Sequence, residues 1–457
     1  MRAMRTVLAM LGACAICAMA GATEPVYTAP QLHADLEQFR VALQSMPADL
    51  EHSANVPALE TAFDALDARL SQSRPLTRDE AWREFATINP LLADGHMFVG
   101  FVDWRADVRK HVESGGTLFP FDVDVTPACD MSIHKERRSS FWFPEAYARI
   151  LAIDGLPAHE VCERLMARLH GDTRAFRADL LTRRFWFFYW KTFGAPAIYE
   201  LTLGTTDDSI APAGARSYPG RKSLPQLLDS ERSFERMFEL TFAGGADAAH
   251  TDTAVLAMRT FAWADKDQVL AFTKQAFESL QRWRIENLII DLTDNGGGDD
   301  DQWIEGVMPY IATRRWRTAS SYRKRVIVTD ASKHETAGDV VEGEMQTWYE
   351  PHPGNPLRFR GKVYVAVGPG TYSSAVVMAT VIQDFGFGKV IGIGGSVRAN
   401  TSGGTRRTTL TNTGLIVVTP RFVLRRPSRA ALPALLTPDI PLGPGRSLED
   451  LPALIRK

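Results

Sequence analysis

The chain has 457 residues, 45% hydrophobic and 23% charged, a balance that fits a soluble globular protein of about two to four domains. Its formal net charge of -2 gives no electrostatic reason to expect nucleic acid or an anionic membrane surface as a partner.

At the amino terminus, Arg2 and Arg5 precede the apolar stretch VLAMLGACAICAMA, and Ala20-Gly21-Ala22 supplies a small-residue cleavage pattern. Residues 1–22 are read as a secretory signal peptide, and the protein as exported, periplasmic or secreted. The stretch is too short, and too soon followed by polar chain, for a stable membrane span. After its removal the remaining cysteines are Cys129 and Cys162. An even pair in an exported chain suits a disulfide, with two separate buried thiols as the alternative, and the spacing is not that of a metal site.

Residues 23–112 read as a small helical bundle. TAPQLHADLEQFRVALQSM and ALETAFDALDARLSQ repeat apolar residues at three-to-four spacing, and Thr77 with Glu80 forms a capping box opening a third helix through Trp82, Phe85 and Ile88. From 113 to 204 the texture changes to short strands, LFPFDVDV, ARILAIDG and AIYELTLG, with the helix AHEVCERLMARLH before the last. The order strand, Ile153-Asp154-Gly155 turn and helix is similar to the peptide-binding half of a PDZ domain in degenerate form, so this region is expected to be a PDZ-like α+β domain. The run Phe185 to Trp190 is read as packing. Residues 205–253, richer in Pro, Gly, Ser and charge, are read as a linker or inserted loops.

The last domain, 254–457, alternates strands and helices: AVLAMRTFAW, a helix from Lys266 to Trp283, LIIDL, a helix around Trp303 to Ile311, VYVAVG, a helix carrying Ser373, and KVIGI. That alternation predicts an α/β fold with a mainly parallel sheet covered on both faces, whose sites lie beyond the carboxyl ends of the strands. Two such ends stand out. VYVAVGPG runs into TYSSAVVMATVIQDFG, a buried strand, a tight turn and a helix whose first turn carries serines. NLIIDL runs into TDNGGGDDD, where glycines let backbone amides approach a substrate. A hydroxyl facing flexible amides is what acyl transfer needs, although a serine there also serves as a plain helix N-cap and glycines as a plain turn. Asp299, Asp300 and Asp301 miss the calcium-loop spacing and have no histidine near, so they are read as a solvated loop, and no metal or organic cofactor is implied.

LIIDLTDNGGG and VYVAVGPGTYSSAVVMATVIQDFGFGKVIGIGG, with Asp94-Gly95-His96, TNTGLIVVTP near Thr411 and TPDIPL near Pro438, resemble the C-terminal processing, tail-specific and tricorn-core serine peptidases, family forty-one of that class. The resemblance implies a crotonase/ClpP-like catalytic domain. It also implies roles. The nucleophile of the family lies eleven positions before the aspartate of a Gln-Asp-aromatic-Gly element, which selects Ser373 ahead of Asp384 and leaves the Ser374 backbone N–H as an oxyanion-hole donor, with Gly296 or Gly297 as the second.

A serine needs a base. One branch of the family uses a lysine about twenty-five residues later, where this chain has Arg398, which cannot be deprotonated. The other, tricorn-like branch takes a histidine from an Asp-Gly-His element, which makes His96 the expected general base. The glutamate that orients it there has no counterpart, since Ala430 to Thr437 contains no acid, leaving Asp439, Asp384 or Asp94 as substitutes, or a hydroxyl or carbonyl. Val376 stands where the family often has another glutamate. The expectation is an exported serine endopeptidase acting on peptides or unfolded proteins through an acyl-enzyme. Two alternatives remain: a non-catalytic apolar-ligand module, since the scaffold also resembles the repeats of interphotoreceptor retinoid-binding protein, and an acyl hydrolase of small substrates.

Overall fold

The computed structural model describes residues 24–134, 149–205, 214–225, 228, 233–242, 252–428, 433–443 and 455; the segment 1–22, read above as a signal peptide, lies outside them. The central element is a six-stranded sheet in the order Phe238–Phe242, Thr253–Met258, Asn287–Asp291, Lys362–Val367, Lys389–Gly392, Ile440–Pro441. The first pair is antiparallel and the other four are parallel. Along the middle strands alternate side chains go to opposite faces. Leu288, Ile290, Val363 and Val365 join the larger core, whereas Ile289, Tyr364, Ala366 and Ile391 form a smaller one behind. Burial on both sides is why these strands read as unbroken apolar runs.

The helix Ser374–Asp384 follows the Lys362–Val367 strand and is buried at every residue from Ser374 to Ile382. A helix apolar all round belongs inside a fold, and this one, with Tyr372 before it, packs into the larger core. The Lys266–Arg282 helix is capped by Asp265, whose side chain accepts from Gln268 N–H. The helix expected around Trp303 to Ile311 is two short pieces, Asp301–Gly306 and Met308–Ile311, separated at Val307. Pro309 stands at the start of the second piece, where it has no intrahelical donor to supply.

The amino-terminal part has a separate core. Helices Ala29–Ser45 and Val56–Ser71 pack through Phe39 and Phe63, whose rings meet edge to face at 5.2 Å. Helix Arg78–Phe85 has the expected Thr77–Glu80 capping box, and Ile88 falls in the 3-10 turn that follows. Leu410, Leu415 and Val417 join this core from far along the chain, and strand Phe98–Gly100 pairs with Ile416–Thr419. The buried Asp35 carboxylate receives Asn412 N–H, Asn412 Nδ2, Thr413 N–H and Thr413 Oγ1, all at 2.7 to 2.9 Å. These contacts bring the Asp94–His96 turn, just before the Phe98–Gly100 strand, toward the sheet that holds Ser373.

The same core is completed by a five-stranded antiparallel sheet, Val123–Val125, Met131–Ile133, Arg149–Ile153, Ile198–Gly204, Arg216–Pro219, whose Val123, Ile133, Ile150 and Leu201 join it. Cys129 and Cys162 form a disulfide, which settles the open choice between bridge and thiols. A second helix, Arg174–Phe193, lies between the Ala158–Met166 helix and the Ile198–Gly204 strand and was missed in the sequence. It buries Phe185 to Tyr189, in keeping with packing. Within 205–253, Arg216–Pro219 and Phe238–Phe242 are strands of the two sheets. A four-stranded antiparallel sheet, Val340–Glu344, Ser321–Arg325, Phe422–Arg425 and Thr401–Gly403, was also not anticipated.

Candidate active site

Two loops leave adjacent parallel strands near whose ends Asp291 and Ala366 are register partners. They are stitched together beyond the sheet. Thr371 Oγ1 donates to Leu292 O at 2.7 Å, Tyr372 N–H to Asn295 O at 2.9 Å, and Asn295 Nδ2 to Met258 O at 2.7 Å. At the junction Ser373 holds φ 53° and ψ -122°, a conformation rare for a residue with a Cβ. It occupies the N-cap position of its helix, yet its side chain makes no cap bond. The strained backbone is thus kept without a capping bond in return.

Gly297, with φ 97°, packs against this turn. A Cβ there would meet Ser373 Cβ at 2.6 Å, Tyr372 O at 2.9 Å and Ser374 N at 3.0 Å. The structure separates the two candidate glycines: Gly297 N–H is occupied by Asn295 Oδ1 at 2.8 Å, whereas Gly296 N–H has no acceptor among the described residues, and a Cβ on Gly296 would meet nothing within 4 Å. Ser374 N–H, at the start of the helix, likewise has no acceptor among them. Its side chain is turned inward. Ser374 Oγ donates to Asp300 Oδ1 and receives Trp303 Nε1 at 2.9 Å. This corrects the solvated reading of the acid run: Asp299 and Asp301 are exposed, but Asp300 is half-buried, and burial raises its carboxyl above the usual range. A hydroxyl and an indole within reach draw it inward.

His96 is held from the opposite side. Its ring lies 4.8 Å from that of Tyr372, the residue before Ser373. Nδ1 is 2.9 Å from Ser402 Oγ, and that hydroxyl donates to Asp94 Oδ1 at 2.9 Å. Because the single hydroxyl proton goes to the carboxylate, Ser402 accepts from Nδ1–H, which assigns the lone pair to Nε2. Nε2 makes no hydrogen bond among the described residues, and none joins His96 to Ser373 Oγ. Burial, partly offset by Asp94, lowers the imidazole pKa below its ordinary value, favouring the neutral ring.

Of the three carboxylates considered for orienting the histidine, Asp94 is the one present. Its Oδ1 lies 3.7 Å from His96 Nδ1 and receives His96 N–H at 2.7 Å, while Ser53 Oγ donates to Oδ2 at 2.7 Å. Burial works against its charge, but His96 and these donors hold its pKa below the usual value. Asp384 pairs with Arg426, and Asp439 receives Val390 N–H and Gln383 Nε2. Arg398 donates its backbone N–H to Asp172 and its guanidinium to Ala93 O. Val376 is buried in the core. Ser402, Tyr372 and Asp172 were not recognised as site residues. Nothing in their spacing relates positions 94, 172 and 402 until the chain folds.

Beyond the parallel sheet the Ser373 turn meets the glycine loop and the Tyr372 ring packs beside that of His96, and residues 252–442 match the model of Peptidase family S41. This stretch is a family S41 peptidase domain. The chain is thereby a serine peptidase, as its motifs led us to expect. Among solved structures, a CPAF mutant is 13% identical over 93% of this chain and 95% of its own, with a TM-score of 0.59. Mature CPAF is 12% identical over 90% and 93%, with a TM-score of 0.56. The photosystem II D1 C-terminal processing protease is 14% identical over 93% and 96%, with a TM-score of 0.45. At these identities the likeness to CPAF concerns the fold. No curated protein matches the sequence.

Proposed function

We propose that the protein is an exported endopeptidase in which Ser373 is the nucleophile, His96 the general base, and the Ser374 and Gly296 backbone N–H groups the oxyanion donors. His96 Nε2 removes the Ser373 proton as Oγ attacks a peptide carbonyl carbon, and the two amides receive the charge that develops on oxygen. His96 then returns that proton to the leaving amine. Water, deprotonated by the same nitrogen, then attacks the acyl carbon, and the proton passes to Ser373 Oγ as the bond to it breaks and the acid leaves. Asp94 supports the transient imidazolium directly at 3.7 Å and through the Ser402 hydroxyl, replacing the absent glutamate. Gly297 lets the glycine loop close on Ser373, with its own amide spent on Asn295.

The observation that carries this reading is the Ser373 backbone, held at φ 53° with no capping bond and pressed against Gly297. Export rests on the character of residues 1–22; no helix among the described residues is long and apolar enough to cross a membrane.

A fluorophosphonate probe tests the chemistry. The mature protein is expected to be labelled at Ser373, and Ser373→Ala to show neither labelling nor peptide hydrolysis, a loss on the order of a million-fold in turnover. Folded protein that resists the probe favours the ligand-binding alternative. A panel of unstructured peptides with blocked and free ends, set beside small esters, separates endopeptidase from tail-specific or esterase activity.

A further inference from the structure

We propose that the Tyr372 hydroxyl is a positioning group for His96, fastening the Asp94–Gly95–His96 turn to the residue before the nucleophile and so setting both the place and the basicity of the imidazole. This rests on the roles given to Ser373 and His96 above.

Tyr372 leaves the nucleophile turn in the direction of the histidine turn. Its hydroxyl accepts from Gly95 N–H at 2.7 Å and lies 3.1 Å from Asp94 Oδ1 and 2.9 Å from Asp172 Oδ1. The ring packs 4.8 Å from the His96 ring and 4.9 Å from that of Phe176. A Cβ on Gly95 would come within 2.6 Å of Tyr372 Cζ and 2.9 Å of Phe176 Cζ, so the turn and the ring are in direct contact. Two segments 277 positions apart, which must cooperate on one proton, are thus joined at one phenol.

One hydroxyl proton cannot serve two carboxylates. Asp172, pushed up to about 6 first by burial and then by Asp94, keeps its own proton in mildly acidic solution. Its other oxygen receives Arg398 N–H at 2.8 Å. In that range the hydroxyl donates to Asp94, the carboxylate that faces His96. The titratable and charged groups around the imidazole are Asp94 on its own turn, Asp172 and His170 from the segment before the Arg174–Phe193 helix, Tyr372, and Arg398. Loss of the hydroxyl has two consequences. The histidine turn loses its tie, and Asp94 loses a donor, so its charge bears more strongly on His96 and raises the imidazole pKa.

The test is the rate of fluorophosphonate labelling of Ser373 as a function of pH in Tyr372→Phe, which keeps the ring. The expected result is a fall of about tenfold to a hundredfold in rate, the scale of a small misplacement of a catalytic group, with the acid limb moved to higher pH. A variant whose rate and limb superimpose on the parent overturns the proposal. Gly95→Ala reaches the same contact from the other side by displacing the Tyr372 ring without removing any donor. It is expected to slow labelling and move the limb in the same direction, and parental behaviour in the folded Gly95→Ala protein overturns the proposal equally. Parent protein that does not label at all refutes the roles of Ser373 and His96 instead, which keeps the two failures apart.

Discussion

A Cβ on Gly297 would fall 2.6 Å from the Cβ of Ser373, so the glycine loop and the Ser373 turn meet where no further atom fits. The contact explains why both loops end beside each other: the parallel pairing of Asn287–Asp291 with Lys362–Val367 delivers them to one edge of the sheet.

Gly297→Ala is expected to cost about 1 to 3 kcal/mol of stability, through its left-handed backbone and the crowding of Ser373 and Tyr372, and to abolish probe labelling. Gly296→Ala has nothing within 4 Å of the added carbon and is expected to unfold at the parental denaturant midpoint. Chemical denaturation of the two variants side by side checks the contrast, and equal losses in both would remove the argument for close approach.

Activity is expected to fall on acidification with a limb below pH 6.5, the ordinary histidine value. Burial favours the neutral imidazole more than Asp94 favours the charged one, so the base stays available to lower pH than a solvated histidine would. Labelling rates across pH 4 to 8 test the position; a limb above 6.5 would mean that Asp94 outweighs burial.

Asp35→Ala removes the acceptor of four donors from Asn412 and Thr413 in a fully buried site. The expected loss is about 3 kcal/mol or more, because the orphaned donors pay their desolvation as well as losing their bonds. Equilibrium unfolding in urea measures it, with the helix signal and the Ser373 probe lost together, since Asp35 fastens the first helix to the turn leading into Ile416–Thr419.

Reduction of Cys129–Cys162 releases a link between residues 33 apart. The paired serine variant is expected to lose about 2 to 4 kcal/mol, mainly by freeing the unfolded chain. A melting temperature insensitive to reductant in the parent protein would contradict this.

The nucleophile segment was legible because a buried parallel strand, a glycine-rich turn and an apolar helix each leave a local pattern, and Ser373 lies where they meet. Thr77 with Glu80 showed a helix start for the same reason: a cap is a matter of four consecutive residues. The long Arg174–Phe193 helix was hidden because its aromatic run is apolar on successive positions and masks the three-to-four period, and the strands near 321–325 and 340–344 are short, charged and exposed in part. Asp300 was misread because a carboxylate in an acidic run is ordinarily solvated, and only the folded Ser374 and Trp303 side chains turn it inward.

From residue order alone came the α/β class of the last domain and the two loops at its strand ends, carried by short-range patterns, while the choice of Ser373 over Ser374 and the nomination of His96 came from what the resemblance to the peptidase family implies. Tertiary structure alone decided which carboxylate faces the histidine, which of two glycine amides stays unoccupied, and that Ser402 and Tyr372 bracket the imidazole. Those choices depend on distances of a few ångströms between segments up to about three hundred positions apart. Nothing local in a chain encodes such proximity; it exists only once strand pairing and core packing have brought the segments together.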